Sequence, residues 1–129
     1  MLVVDASVAL EACATEDGFE PLPTELCAPA LMWSEAASAL HELMWRGQIE
    51  PEDATETFAR LQRAPVKRRH HAALLRTAWE IAEDLGSAKT YDAEYLALAR
   101  LLKTRVVTLD ARLRRAADRL GLVVGVAEL

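Results

Sequence analysis

Four acidic residues, Asp5, Glu35, Asp92 and Asp110, stand at positions from which side chains distant in sequence can face one cleft. Asp5 closes the apolar run Leu2-Val3-Val4, and Asp110 directly follows Arg105-Val106-Val107-Thr108-Leu109. Asp92 falls in the first turn of a helix opened by Thr90, and Glu35 comes one residue after Ser34, early in a long helix. In an open α/β sheet the carboxyl ends of the strands and the loops after them surround the ligand crevice, which directs three of these acids to it and makes Glu35 the natural fourth. Gathered carboxylates repel one another and push some pKa values upward unless a cation lies between them. With only oxygen ligands and no His or Cys set, the favoured ion is Mg²⁺ or Mn²⁺ rather than Zn²⁺. Such ions activate water, hold a phosphate oxygen and stabilise charge on a leaving oxygen, which is the chemistry of phosphodiester hydrolysis.

Each acid taken alone also has an ordinary structural explanation. Asp110 suits a turn or a helix cap, Asp92 complements a helix dipole, Glu35 suits a solvated face and Asp5 a strand end. The combination carries the functional case. Asp5 fits the ordinary explanation least, because it interrupts an apolar start that would otherwise continue into Ala6.

The elements that must position these residues follow from the hydrophobic pattern. Leu2 to Val4 reads as a strand and Ala6 to Glu16 as a helix. Residues 17 to 28 form a loop with Gly18, Pro21 and Pro23, closing on a very short strand at Leu26 to Ala28. Pro29 opens a long helix to about Arg46, ended by Gly47, and Pro51 opens another to about Arg63. Ala64 to Arg68 is an edge-strand candidate, since proline is tolerated only at sheet margins. A helix over His70 to Leu85 ends at Gly86, and a second over Tyr91 to Leu102 has Thr90 as N-cap and apolar Tyr95, Leu98 and Leu102 at helical spacing. Arg105 to Leu109 is the clearest strand; Ala111 to Leu120 is helical, Gly121 stops it and Leu122 to Val124 is a last strand. This alternation predicts an α/β fold with a parallel sheet covered by helices on both faces.

The 129 residues suffice for one domain over 1–129, with any active site built from that single fold. Composition is 52% hydrophobic with few Gly and Pro, as in a globular helix-rich protein. No apolar stretch approaches the roughly 18 residues of a membrane span, so a cytoplasmic location is expected, with no membrane attachment. Cys13 and Cys27 lack metal-ligand spacing and read as reduced packing residues. The net charge of −5 argues against general phosphate attraction, so a nuclease needs a local basic surface. The segment from Arg60 to His71 holds Arg60, Arg63, Lys67, Arg68 and Arg69 with no acid; Lys67, Arg68 and Arg69 are the candidate contacts for nucleic-acid phosphates, against the plainer reading of a solvated corner. Trp33, Trp45 and Trp79 fall on helices where core packing is the default, although Trp45 also suits a groove for a partner helix.

Four stretches together resemble the PIN-domain toxins of the VapBC type. They are Val3-Val4-Asp5-Ala6-Ser7, Leu31-Met32-Trp33-Ser34-Glu35, Thr90 through Ala99 with its Tyr-Asp-Ala-x-Tyr-x-Ala-Leu-Ala pattern, and Val107 through Leu113. The resemblance implies a PIN-like three-layer α/β/α fold with a short parallel sheet of four or five strands. It makes Asp5, Glu35, Asp92 and Asp110 the metal-binding, catalytic acids and Ser7 the hydroxyl that orients Asp5 or a water. Thr90 and Thr108 are weaker candidates for similar support, and Glu94 is left outside the set. The resemblance further implies an endoribonuclease toxin that leaves a 3′-hydroxyl and a 5′-phosphate, a homodimer, and a VapB-type antitoxin whose basic side chain competes with the metal.

Two other classes are open. A catalytically silent PIN-like module would bind RNA or a partner without cleavage, which the full acid set opposes. A phosphorylation-dependent receiver would need adjacent early acids, and residues 4 to 6 supply only Asp5.

Overall fold

The computed structural model describes residues 1–23 and 25–129; Thr24, inside the loop expected over 17–28, lies outside the described residues. Five short strands form one wholly parallel sheet: β1 (Leu2–Val4), β2 (Leu26–Ala28), β3 (Lys67–Arg68), β4 (Val106–Thr108) and β5 (Val123–Gly125), in the order β3-β2-β1-β4-β5. β1 is central, with Val3 opposite Cys27 on one side and Val106 on the other, and Val4 opposite Val107. Val3, Val4, Cys27, Val106 and Val107 are all inaccessible to solvent. Such unbroken apolar runs, rather than alternating ones, are what a sheet buried on both faces requires.

Six α-helices flank the sheet: α1 (Ala6–Ala14), α2 (Leu31–Trp45), α3 (Pro51–Gln62), α4 (Leu74–Leu85), α5 (Tyr91–Leu102) and α6 (Ala111–Ala117). α1, α2 and α3 touch one another, α4 runs along α5, and α6 packs on β4 and β5. The core joins Met32 of α2, Leu61 of α3, Ile81 of α4 and Leu96 and Leu98 of α5 to the strand valines. Among the described residues no helix is long and apolar enough to cross a membrane.

The chain builds outward from β1 to β2 and β3, then returns to place β4 on the other side of β1. That reversal opens a crevice beyond the carboxyl ends of β1 and β4, the usual ligand position in such sheets. Asp5 and Asp110 are the residues that cap the helices leaving these two strands.

Several boundaries differ from the sequence expectation for local reasons. α1 ends at Ala14, where the Thr15 backbone turns extended and its hydroxyl donates to the Ala12 carbonyl. α2 begins at Leu31, after Pro29, whose buried ring sits just outside the helix while its carbonyl accepts from the Met32 amide. α4 begins at Leu74 rather than His70, because the His71 ring nitrogen accepts the Ala73 amide and holds a separate turn. Thr90 is the N-cap of α5 as expected, with its carbonyl accepting the Glu94 amide, but its hydroxyl makes no capping bond. The last helix tightens into a 3₁₀ turn over Asp118–Leu120 before Gly121. Gly86 ends α4 with φ +66°, and the Ser87 amide reaches back to the Ala82 carbonyl; the left-handed geometry suits glycine.

Trp45 and Trp79 are surface residues, 83% and 62% exposed, not core residues. Helical periodicity identifies a face but not whether another element covers it. The consequence is measurable by urea unfolding. Leu96→Ala, at a fully buried position, is expected to cost about 2–5 kcal/mol, whereas Trp45→Ala should stay within about 0.5 kcal/mol. Equal midpoints for the two variants would contradict this packing.

Candidate metal centre

Asp5 is 5% exposed, and both of its carboxylate oxygens accept hydrogen bonds. Oδ1 accepts the Ser7 hydroxyl at 2.6 Å and the Val8 amide at 3.1 Å, the latter capping α1. Oδ2 accepts the Thr108 hydroxyl, from a residue 103 positions away on the neighbouring strand. Ser7 Oγ accepts the Leu109 amide at 3.1 Å, and Thr108 Oγ1 accepts the Asp110 amide at 2.9 Å. Two hydroxyls therefore relay between the β1 and β4 ends and fix Asp5 in one orientation. Burial nevertheless raises the Asp5 pKa above the ordinary carboxylate value; the hydrogen bonds from Ser7, Thr108 and Val8 oppose that rise, and the nearby Asp110 charge adds to it.

Glu35 is supplied by the second turn of α2 and is half-buried. Tyr95, 1% exposed on α5, donates its phenol to Glu35 Oε1 at 2.5 Å. Burial raises the Glu35 pKa, the Tyr95 bond opposes the rise, and the charges of Asp92, Asp5 and Glu94 reinforce it. Burial, followed by the bond to Glu35, raises the Tyr95 pKa and keeps the phenol protonated as a donor.

Asp92 and Asp110 meet through Arg112. The guanidinium lies 3.4 Å from Asp92 Oδ2 and 3.8 Å from Asp110 Oδ2. Asp110 Oδ1 is already used as the cap of α6, accepting the Arg112 and Leu113 amides at 2.9 and 3.2 Å.

The structure thus places Asp5, Glu35, Asp92 and Asp110 in one electrostatic neighbourhood and Ser7 directly on Asp5. Thr108 shares that contact, whereas the Thr90 hydroxyl makes no capping bond at the start of α5. Glu94, left outside the sequence-derived set, is near enough for its charge to act on Glu35. Tyr95 and Arg112 were missed. The available signal for Tyr95 was a hydroxyl on an otherwise apolar helix face, three residues after Asp92.

The basic segment lies apart from this constellation. Lys67 and Arg68 form the edge strand, and the Arg68 guanidinium sits 4.7 Å over the Trp33 ring. The Arg69 amide bonds the Ala28 carbonyl, while its side chain reaches the Met1 sulfur, just before β1.

The donor set is entirely oxygen, and Asp5 and Glu35 are acids whose charged forms are disfavoured where they stand. Both properties fit a hard divalent cation. Among the described residues, no three His, Cys, Asp or Glu side chains are spaced to enclose an ion by themselves. Mg²⁺ tolerates such an arrangement because it commonly keeps several waters and takes only one or two carboxylates directly.

The sequence profile of the PIN domain matches residues 2–119. The chain belongs to the PIN domain family. It is of the VapC type: a VapC ribonuclease of Mycobacterium bovis and ribonuclease VapC9 of Mycobacterium tuberculosis are each 36% identical to it over 115 residues, 88% of both chains. Two solved structures share the fold. PAE2754 of Pyrobaculum aerophilum superposes with a TM-score of 0.76 at 23% identity, over 98% of this PIN domain and 91% of that chain. A toxin–antitoxin complex from Klebsiella pneumoniae gives 0.69 at 13% identity, over 96% of both chains.

The raised Glu35 pKa has a thermodynamic consequence. The folded PIN domain keeps Glu35 protonated to higher pH than the unfolded chain, so stability is lost as pH rises from the ordinary glutamate value of 4.5 through the raised one. Glu35→Gln retains an acceptor for Tyr95 and removes the charge. In chelator, its melting temperature should exceed the parent's at pH 7.5, with the advantage shrinking towards pH 4. A difference independent of pH would show that the crowding of charge does not strain the fold.

Proposed function

We propose that this chain is a metal-dependent endoribonuclease and the toxin of a type II toxin–antitoxin system. The observation that carries the reading is the buried Asp5 carboxylate, fixed at the mouth of the β1/β4 crevice with the charges of Glu35 and Asp110 near it. The names of the VapC relatives support RNA as substrate, and the toxin–antitoxin relative of similar fold supports an antitoxin partner. A homodimer, a cytoplasmic location and one domain over the whole chain belong to the same reading.

Asp5, Glu35, Asp92 and Asp110 would hold Mg²⁺ or Mn²⁺, which when bound supplies charge stabilisation at the scissile phosphate and activation of water. Ser7 and Thr108 keep Asp5 from rotating away, and Tyr95 does the same for Glu35. Their protons lie in hydrogen bonds to the carboxylates, so both acids present ordered acceptor oxygens to the crevice. Lys67, Arg68 and Arg69 are proposed contacts for RNA phosphates beyond the cleft; Arg68, over Trp33, lies beside the helix that carries Glu35.

The second reading, a catalytically silent PIN-like module that binds RNA or protein, is favoured by one observation: among the described residues the acids form no closed ion shell, and Arg112 stands between two of them. Cleavage of RNA by the purified chain separates the two. Activity is expected with Mg²⁺ or Mn²⁺ and none with chelator, and Asp5→Asn or Asp92→Asn should lose about 100-fold or more, since even groups behind the ligands are worth 10- to 100-fold. Metal-independent cleavage, or full activity in Asp5→Asn, would exclude the proposed chemistry. Binding of RNA without cleavage in any divalent metal would establish the silent module.

A further inference from the structure

Beside the carboxylates lies a cavity of about 650 Å³, lined by Glu35, Asp92, Lys89, Tyr91 and Arg112 with the loop residues Gly86 to Ala88. Its size falls within the range of pockets that enclose a small organic ligand. We propose that Lys89, Tyr91 and Arg112 form the subsite that receives an RNA nucleotide next to the acids, and that Arg112 leaves Asp92 and Asp110 for the nucleotide's phosphate when a divalent ion binds there. The inference rests on the ribonuclease reading and assigns the substrate-holding residues of that same cavity.

Arg112 is built for such an exchange. Its backbone amide is held by the α6 cap, donating to Asp110 Oδ1 at 2.9 Å, while its side chain is 76% exposed. Its two carboxylate contacts, at 3.4 and 3.8 Å, are longer than the roughly 2.7–2.9 Å of a strong charge-assisted bond. Exposed pairs of this kind hold weakly. The guanidinium stands against the one oxygen of Asp110 that capping leaves free, which is the oxygen a metal would use. Cation and guanidinium therefore compete for Asp92 and Asp110, and a displaced guanidinium remains on the wall of a cavity that must hold a phosphate.

Tyr91 supplies the second half of the subsite. Its ring is 51% exposed at the start of α5, whereas Tyr95, one turn later, is buried on Glu35. An exposed aromatic ring stacks on any base, and Lys89 in the exposed loop before it adds a positive charge at the same wall. A phosphate flanked by Lys89 and Arg112 and a base on Tyr91 would set the scissile bond against the acids. These two cations would supply local phosphate contact in a chain whose net charge is −5.

Two measurements on the intact chain test this. The first is anisotropy of a labelled single-stranded hexaribonucleotide in Ca²⁺; the second is the rise of melting temperature with Mn²⁺ in the absence of RNA. Lys89→Gln, Tyr91→Ala and Arg112→Gln should each weaken RNA binding about tenfold, as for loss of one charged or stacked contact. Arg115→Gln removes the same charge from the same helix outside the cavity and should change binding by less than about twofold. Arg112→Gln should also respond to about threefold less Mn²⁺, because a competitor is gone. Parent-like RNA affinity in all three variants, an equal loss in Arg115→Gln, or an unchanged Mn²⁺ response in Arg112→Gln overturns the subsite alone. A parent chain that binds neither Mn²⁺ nor RNA overturns the ribonuclease reading and the subsite with it.

Discussion

The hydrogen bond from Thr108 to Asp5 joins the ends of β4 and the central strand β1, and most of what is unusual in this PIN domain traces back to it. Asp5 is buried at the end of the central strand, yet the proposed metal chemistry needs it as a carboxylate. Three hydrogen bonds reconcile these demands by replacing lost water on both carboxylate oxygens. They do not remove the cost entirely, since burial still raises the Asp5 pKa. A group that opposes folding and is nevertheless held in place by surrounding structure is a common mark of a functional site.

The same economy of oxygens recurs across the site. Asp5 Oδ1 caps α1, and Asp110 Oδ1 caps α6, so each acid serves its own helix with one oxygen. The ordinary structural explanation of these residues therefore holds, and it leaves room for the proposed functional one. Capping anchors the side chain, and the remaining oxygen is left to the crevice or to a neighbour.

Arg112 gives the acids a resident positive partner, which lets Asp92 and Asp110 face each other without a metal. Tyr95 does the corresponding work for Glu35 with a neutral donor. The site thus has a charged half that can exchange partners and a hydrogen-bonded half that stays fixed.

Much of the fold was legible in the sequence. The β-branched runs Leu2–Val4 and Val106–Thr108, Pro51 at the start of α3 and the glycine that ends α4 act through near-neighbour sterics, and they located these elements. The same runs placed Asp5 and Asp110 at strand ends. Only the tertiary structure decided which strands are neighbours, and therefore that Thr108 and Leu109 would meet Asp5 and Ser7, that Tyr95 would turn from packing residue to support of Glu35, and that Arg112 would span two acids. It also left Trp45 and Trp79 outside the core. The reason is physical: local pattern fixes how a segment curls and which face is apolar, whereas the partner of a polar tip depends on strand order, which is set by burial summed over contacts far apart in the chain.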